Sequence, residues 1–261
     1  MGAEERVLVT RPRGQADALL DSLSEAGLTG VHLPLIDIEI INPLPGEARQ
    51  KILDLDRYEH VFFVSANAAR IGAERIEDLW PQWPARQRYW AVGTSTAAVL
   101  EAAGLRVERP ETDMSSEGLL AMPGLQQLSG QRCLLVRGEG GRTMIAETLR
   151  ARGAGVDELP CYRRRAVEHT PDEVKALLGP GGCDLVLISS GEGLELLGRL
   201  LHPGEGTTLA GTTLIVPSQR VAESAIALGW PRVETADNAS DAAMLAAVKR
   251  LRQQRSLETQ H

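Results

Sequence analysis

"FVSANAARI", residues 63–71, joins two periodicities across a small, hydroxyl-bearing corner. Upstream, HVFFVS (60–65) is an apolar run of strand length; downstream, from Asn67, the pattern is helical. The same passage occurs again in LISSGEGLEL (187–196), where Ser189 lies 124 positions after Ser65. Gly93 and Pro217, each closing the next strand, keep that offset, as do Ser116 and Ser240, each ahead of an apolar helical stretch. A repeat at fixed offset predicts two copies of one supersecondary unit.

A second kind of half-unit repeats as well. VLVTRPRG…SEAGLTGVHLPL (7–35) matches CLLVRGEG…RARGAGVDELPC (133–161), with an offset of 126 at Arg11/Arg137, Gly27/Gly153 and Pro34/Pro160. In chain order the halves run first kind (1–35), second kind (60–123), first kind (131–160) and second kind (183–251). Strands alternating with helices predict parallel α/β sheets, here two similar doubly wound ones. Two assignments follow. Either the domains are consecutive, or one is built from both chain ends around an inserted other. Segments 36–41 and 161–167 each follow a Leu-Pro, and in the second assignment they are linkers able to pair as a two-stranded ladder.

Composition narrows the function. The 261 residues carry a net charge of −7, which argues against nucleic acid or an anionic membrane as a general partner. Aromatic residues are only 3%, so the cores are expected to be aliphatic. MGAEERVLVT lacks the layout of a secretory signal, and no apolar run approaches the roughly 20 residues that span a bilayer. Cys133, Cys161 and Cys183 lack metal-ligand spacing and read as reduced thiols of a cytoplasmic protein. No phosphate-binding Gly-Lys loop, H-E-x-x-H or G-x-S-x-G is present, and GEGGRT (138–143) breaks the dinucleotide pattern at Thr143.

What remains is a set of strand-to-helix corners: TRPRG (10–14), SAN (65–67), GTST (93–96), RGEGGR (137–142), SSGE (189–192) and PSQR (217–220). In doubly wound sheets such corners lie at the carboxyl ends of the strands, where ligands bind. Free N–H groups and the helix dipole favour anions there. Taken singly, each Ser, Thr or Asn is an ordinary helix cap. Taken together they suit a ligand with several anionic groups, and Arg11, Arg13, Arg137, Arg142 and Arg220 fall at the same corners. Tyr162, in LPCYRRR (159–165), stands apart: a phenol beside Arg163–Arg165, on the expected return linker. It reads either as a packing residue beside a solvated edge or as a neutral hydrogen-bond and proton donor.

The ordered set VLVTRPRGQADAL, FFVSANAARIG, AVGTSTAAVLEAAGLRVERPETDMSSEGLL, LLVRGEGGRTMIAETLRARGAGVDELPCYRR, LVLISSGEGLELL and VPSQRVAESAIALGW resembles the uroporphyrinogen-III synthase family. The resemblance implies two flavodoxin-like α/β domains joined by a two-stranded β-ladder: 1–35 plus 168–261, linker strands 36–41 and 161–167, and an inserted domain 42–160. It implies a cytoplasmic monomer that needs no cofactor or metal. Its substrate would be hydroxymethylbilane, a linear tetrapyrrole with eight carboxylates, closed with loss of water and inversion of ring D. Carried over by position, the family's linker tyrosine falls on Tyr162, as proton donor facing the cleft between the domains. The threonine of the family's Gly-x-x-Thr corner falls on Thr96, the hydroxyl of the equivalent corner on Ser218, and the strand-end serines on Ser65 and Ser189. The corners themselves add Arg11, Ala66, Asn67, Gly93, Thr94, Arg137, Gly138, Ser190 and Gln219 as candidate substrate-binding residues. VPSQR departs from the family pattern, which has a glycine-containing corner with threonine there. A non-catalytic two-domain binder of a polyanion would show the same corners without needing a proton donor at Tyr162. An interaction module of the response-regulator type would need acidic residues where the first strand instead ends in Thr10-Arg11.

Overall fold

A computed structural model of the chain describes residues 5–141, 143–201 and 211–258. It divides into two compact units, Met1–Asp37 with Arg165–His261, and Ile38–Arg164. Along the chain come β1 (Arg6–Val9), α1 (Asp17–Glu25), β2 (Thr29–His32), β3 (Ile36–Ile40), α2 (Gly46–Leu53), β4 (His60–Phe63), α3 (Ala66–Glu77), β5 (Arg88–Ala91), α4 (Thr94–Ala102), β6 (Val107–Glu108), α5 (Ser116–Ala121), β7 (Arg132–Gly138), α6 (Met144–Ala151) and β8 (Gly155–Ala166). There follow α7 (Pro171–Leu178), β9 (Leu185–Leu187), α8 (Gly191–Leu200), β10 (Thr213–Val216), α9 (Gln219–Ala227), β11 (Val233–Thr235) and α10 (Asp241–Glu258).

The first unit holds a five-stranded parallel sheet in the order β11-β10-β9-β1-β2. Its strands are nearly continuous apolar runs because both faces are covered. One face packs Leu8, Val186, Leu214 and Val216 with Leu194 and Leu197 of α8. The other packs Val7, Val9, Leu185 and Ile215 with Leu19 and Leu23 of α1 and Met244 and Val248 of α10. The C-terminal QQRSLETQH, polar enough to suggest fraying, instead continues α10 to Glu258. Arg255 holds it down through Glu5 at 3.2 Å and the Thr213 hydroxyl at 2.7 Å, an anchor invisible to local composition. Residues 259–261 lie outside the described ones.

The second unit holds a six-stranded sheet, β3-β8-β7-β4-β5-β6. Its five parallel strands repeat the first sheet in permuted chain order. β7 and β8 correspond to β1 and β2, and β4, β5 and β6 to β9, β10 and β11. Registers agree: Arg6 faces Thr29 as Arg132 faces Gly155, and Val7 faces Leu185 as Cys133 faces His60. The expected two-stranded ladder is not free-standing. β8 is one 12-residue strand, so β3 pairs with its flank and becomes the sheet's sixth, edge strand. Ile41 N–H donates to the Cys161 carbonyl and Val167 N–H to the Leu35 carbonyl, a reversed order that makes this pair antiparallel.

At the amino end of β4, His60 is 3% exposed. Trp90 Nε1–H donates to its Nδ1 at 3.0 Å, which leaves Nε2–H to donate to Gln131 Oε1 at 2.5 Å. Both ring nitrogens are satisfied only in the neutral tautomer. Cys133, Cys161 and Cys183 are free, buried thiols, and burial pushes Cys133 and Cys161 up to about 12.

Candidate active site

Each doubly wound sheet has a switch point where the connections reverse direction, and helix N-termini cluster at the carboxyl ends of strands beside it. In the second unit it lies between β7 and β4, and in the first between β1 and β9. Six helices follow the second-kind strands. Five start on a serine whose hydroxyl accepts a first-turn N–H: Ser65 from Ala68, Ser115 from Gly118, Ser190 from Gly193, Ser218 from Val221 and Ser240 from Ala243. These caps correct the repeat. Ser65 corresponds to Ser190, Gly93 to Ser218 and Ser115 to Ser240, an offset of 125. The Ser-Ser pairs at 115–116 and 189–190 make a match by residue type ambiguous by one, and cap geometry resolves it.

α4 is the exception among the six. It begins at Gly93 with no side-chain cap, so its first-turn N–H groups have no serine hydroxyl to serve them. Thr94 and Ser95 are exposed there, while Thr96 is buried. Thr94 Oγ1 donates to Met114 Sδ at 3.1 Å. An uncapped N-terminus flanked by hydroxyls is a ready anion site.

Tyr162 is not a solvent-facing phenol. It is 3% exposed, packed in the core with Val136 and Leu159, and its Oη lies 3.0 Å from Ser65 Oγ. Ser65 Oγ also accepts Ala68 N–H at 3.0 Å. The serine can therefore direct its own proton to Tyr162 Oη, leaving the phenol proton for another acceptor. Ala66 and Asn67, half-buried, open α3 immediately beyond.

Two arginines at the first-kind corners, Arg137 and Arg11, turn inward. Arg137 is 8% exposed, with Nη1 2.7 Å from Glu158 Oε2, Nε donating to the Gly138 carbonyl at 3.2 Å, and Nη2 to the Gly140 carbonyl. Glu158 also receives Arg150 at 3.0 Å. Burial pushes the Glu158 carboxyl up, but hydrogen bonds from Arg150 and Arg137, with their charges, outweigh this and hold it below the usual range. Arg11 pairs with Asp241 at the start of α10 and donates to the Ala239 carbonyl at 2.5 Å. Thr10 Oγ1 ties β1 to the Leu187 carbonyl at 2.7 Å, and the Ser189 hydroxyl is buried with no hydrogen-bond partner among the described residues. Gln219 and Arg220 are exposed beside Ser218, Arg13 is 68% exposed near Asp37, and Arg142 lies outside the described residues. Of the arginines beside Tyr162, Arg163 pairs with Glu139.

The structure thus brings together Tyr162, Ser65 and Gly138 in the second unit, with Arg137 bracing the same loop. It leaves Arg11, Ser189, Ser190 and Ser218 with Gln219 on corners of the first. The uncapped start of α4 was missed, because the sequence repeat set Gly93 against Pro217; the signal is the glycine of GTST, which the 125 offset sets against Ser218. Glu158 as partner of Arg137 was not legible, since nothing local connects them.

A family model described as Uroporphyrinogen-III synthase HemD matches residues 17–246. The uroporphyrinogen-III synthase of Escherichia coli (strain K12) is 34% identical over 245 residues, covering 93% of this chain and 99% of that protein. The Salmonella typhimurium enzyme of the same name gives the same figures. Among solved structures, a mutant uroporphyrinogen III synthase from the extremely thermophilic bacterium Thermus thermophilus aligns with a TM-score of 0.65 at 22% identity, covering 96% of this chain and 99% of that one. The Helicobacter pylori enzyme aligns at 0.60 and 17% identity, covering 95% and 99%. At these identities the structural likeness concerns the fold.

Proposed function

We infer that this chain, which belongs to the uroporphyrinogen-III synthase family, closes hydroxymethylbilane to uroporphyrinogen III, with loss of water and inversion of ring D. It is an enzyme of the carbon–oxygen lyase kind. The observation that carries the site reading is the Tyr162–Ser65 pair, a phenol aimed at a strand-end serine beside a helix N-terminus.

In this reading the phenol gives its proton to the leaving hydroxyl, so the C–O bond breaks with departure of water. Pyrrole electrons stabilise the resulting azafulvene cation, and Ser65 steadies the phenolate. The substituted carbon of ring D attacks that cation and becomes a quaternary spiro centre. Its older bond to the methylene bridge of the neighbouring ring then breaks, which frees that bridge as a second azafulvene. The unsubstituted α-carbon of ring D attacks this azafulvene, which inverts the ring, and the proton lost from that carbon as the pyrrole regains aromaticity restores the phenol. No electrons change hands, so the balance needs no redox cofactor or metal. Unassisted closure gives the non-inverted isomer, so the protein's main contribution is positioning.

The eight carboxylates suit the uncapped start of α4 at Gly93, Thr94 and Thr96, and the corners at Ser65–Asn67, Ser189–Ser190 and Ser218–Gln219. Helix N-termini offer positive potential locally, whatever the net charge of −7. The reading takes 1–35 plus 168–261 as one domain, 36–41 and 161–167 as linker strands, and 42–160 as the inserted domain. The two compact units support that division. It also takes the enzyme as a cytoplasmic monomer. Among the described residues no helix is long and apolar enough to cross a membrane.

The test supplies freshly made hydroxymethylbilane, oxidises the products and separates the type I and type III isomers. A protein-dependent excess of type III is expected. Tyr162→Phe is expected to lower kcat by about 10²-fold or more, the usual weight of a general acid. Type I alone, at the spontaneous rate from folded protein, would leave a polyanion binder as the better account.

A further inference from the structure

We propose that Gly138 is a positioning residue for this reaction: it is glycine so that the Tyr162 ring can cross β7 and reach Ser65. The pairing of β7 with β8 slips at Arg137/Gly138, with Arg137 opposite Pro160 and Gly138 opposite Tyr162. β8 spends one extra residue, Cys161, at this step, which makes it a bulge. Consecutive residues of a regular strand point to opposite faces; here Cys161 and Tyr162 pack into the same core cluster, with Leu159 and Val136.

The bulge lays the phenol over Gly138. A β-carbon at 138 would stand 2.7 Å from Tyr162 Cζ, 2.8 Å from Cε2 and 3.0 Å from Oη. Ordinary contact between carbons is about 3.5–4.0 Å, so the ring would have to move by about 1 Å. Cross-strand bonds hold β7 and β8 together here. Glu139 N–H donates to the Tyr162 carbonyl at 2.7 Å, and Arg137 of β7 donates to Glu158 of β8 at 2.7 Å. Through this gap the ring passes from β8, across β7, to Ser65 at the end of β4.

Conformation does not explain this glycine. Gly140 and Gly141 have φ of 72° and 84°, in the left-handed region that favours glycine, whereas Gly138 is not among the positive-φ residues. Its backbone would accept any side chain. Space over the α-carbon is what the site needs, and Gly138 acts on the reaction only through Tyr162.

The proposal rests on Tyr162 as the proton donor, and its test separates the two. The full chain is labelled with 3-fluorotyrosine at its three tyrosines, and the Tyr162 fluorine resonance is identified as the one missing from Y162F. In G138A that resonance is expected to move, kcat for the type III product to fall about 10²-fold, and KM to stay within about threefold, since a displacement of about 1 Å costs that much rate. G138A/Y162F is expected to lose nothing beyond Y162F. A Tyr162 resonance unmoved in G138A, or a loss confined to KM, overturns the proposal. A resonance that moves while Y162F keeps the full rate upholds the placement of the ring by Gly138 and rejects both the donor and Gly138's part in the reaction. If G138A fails to fold, G138A/Y162L is expected to fold as well as Y162L, because the clashing ring atoms are gone; equal damage in both backgrounds rules the proposal out.

Discussion

Replacing Arg137 by methionine removes a guanidinium that is 8% exposed and leaves a side chain of similar reach to fill its place. The lost contacts are a 2.7 Å ion pair with Glu158 and hydrogen bonds to the carbonyls of Gly138 and Gly140. Breaking a buried pair by removing one partner costs about 3–5 kcal/mol where the other charge is stranded. Here Glu158 keeps Arg150, is 33% exposed, and is not stranded. Gly140 is exposed and its carbonyl can take water. The expected loss is therefore nearer about 2–3 kcal/mol, the worth of one or two charge-assisted hydrogen bonds. For a unit of this size the midpoint of thermal unfolding should fall by about 10 °C. Three of the four tryptophans, Trp80, Trp83 and Trp90, lie in the second unit, so tryptophan emission during urea unfolding reports mainly on it. Arg57→Met is the control, since Arg57 is 65% exposed and pairs with Asp54 at 3.4 Å; its cost should not exceed about 0.5 kcal/mol. Arg137→Met with control-like stability and a raised KM for the bilane would refute the clamp and make Arg137 a substrate ligand.

Gly93→Ser should add the cap that α4 lacks, and the new β-carbon meets only Met114 Cβ at 3.5 Å. Stability is expected to rise by a few tenths of a kcal/mol while KM for the bilane rises, because the new hydroxyl takes an N–H otherwise offered to a carboxylate; unchanged KM would remove α4 from the binding surface. Stability should also depend on pH through His60. Burial, the largest effect, holds it below its ordinary 6.5, against the opposing bond to Gln131. The unfolded chain then binds the proton more readily, so stability rises with pH up to 6.5, is flat above it, and falls below it. His60→Asn, which keeps an acceptor for Trp90, should abolish that slope in urea titrations; a slope that survives assigns the proton elsewhere. Glu158, held below its ordinary 4.5, adds a separate loss at lower pH, as protonation releases Arg137 and Arg150.

The alternation of strands and helices, the two kinds of half-unit and the hydroxyl corners were all legible in the chain. Each depends on neighbours within a turn or along one strand: FVSANAARI carries its strand, cap and helix within nine residues. The 126 offset at Arg11 and Arg137 was readable for the same reason, while the Ser-Ser pairs at 115–116 and 189–190 hid the true 125 until cap hydrogen bonds chose between them. Tertiary structure alone decided what those residues face. An arginine in a corner motif looks like an anion ligand until Glu158 or Asp241 closes on it. Tyr162 reads from the sequence as a packing residue or a proton donor on a linker, and only a bulge, set by pairing with β7, turns it over Gly138 toward Ser65, 97 positions away. Local periodicity determines which elements form, because backbone hydrogen bonds and caps are local. Which side chain meets which proton acceptor depends on strand order and register, and those are fixed by packing between segments far apart in the chain.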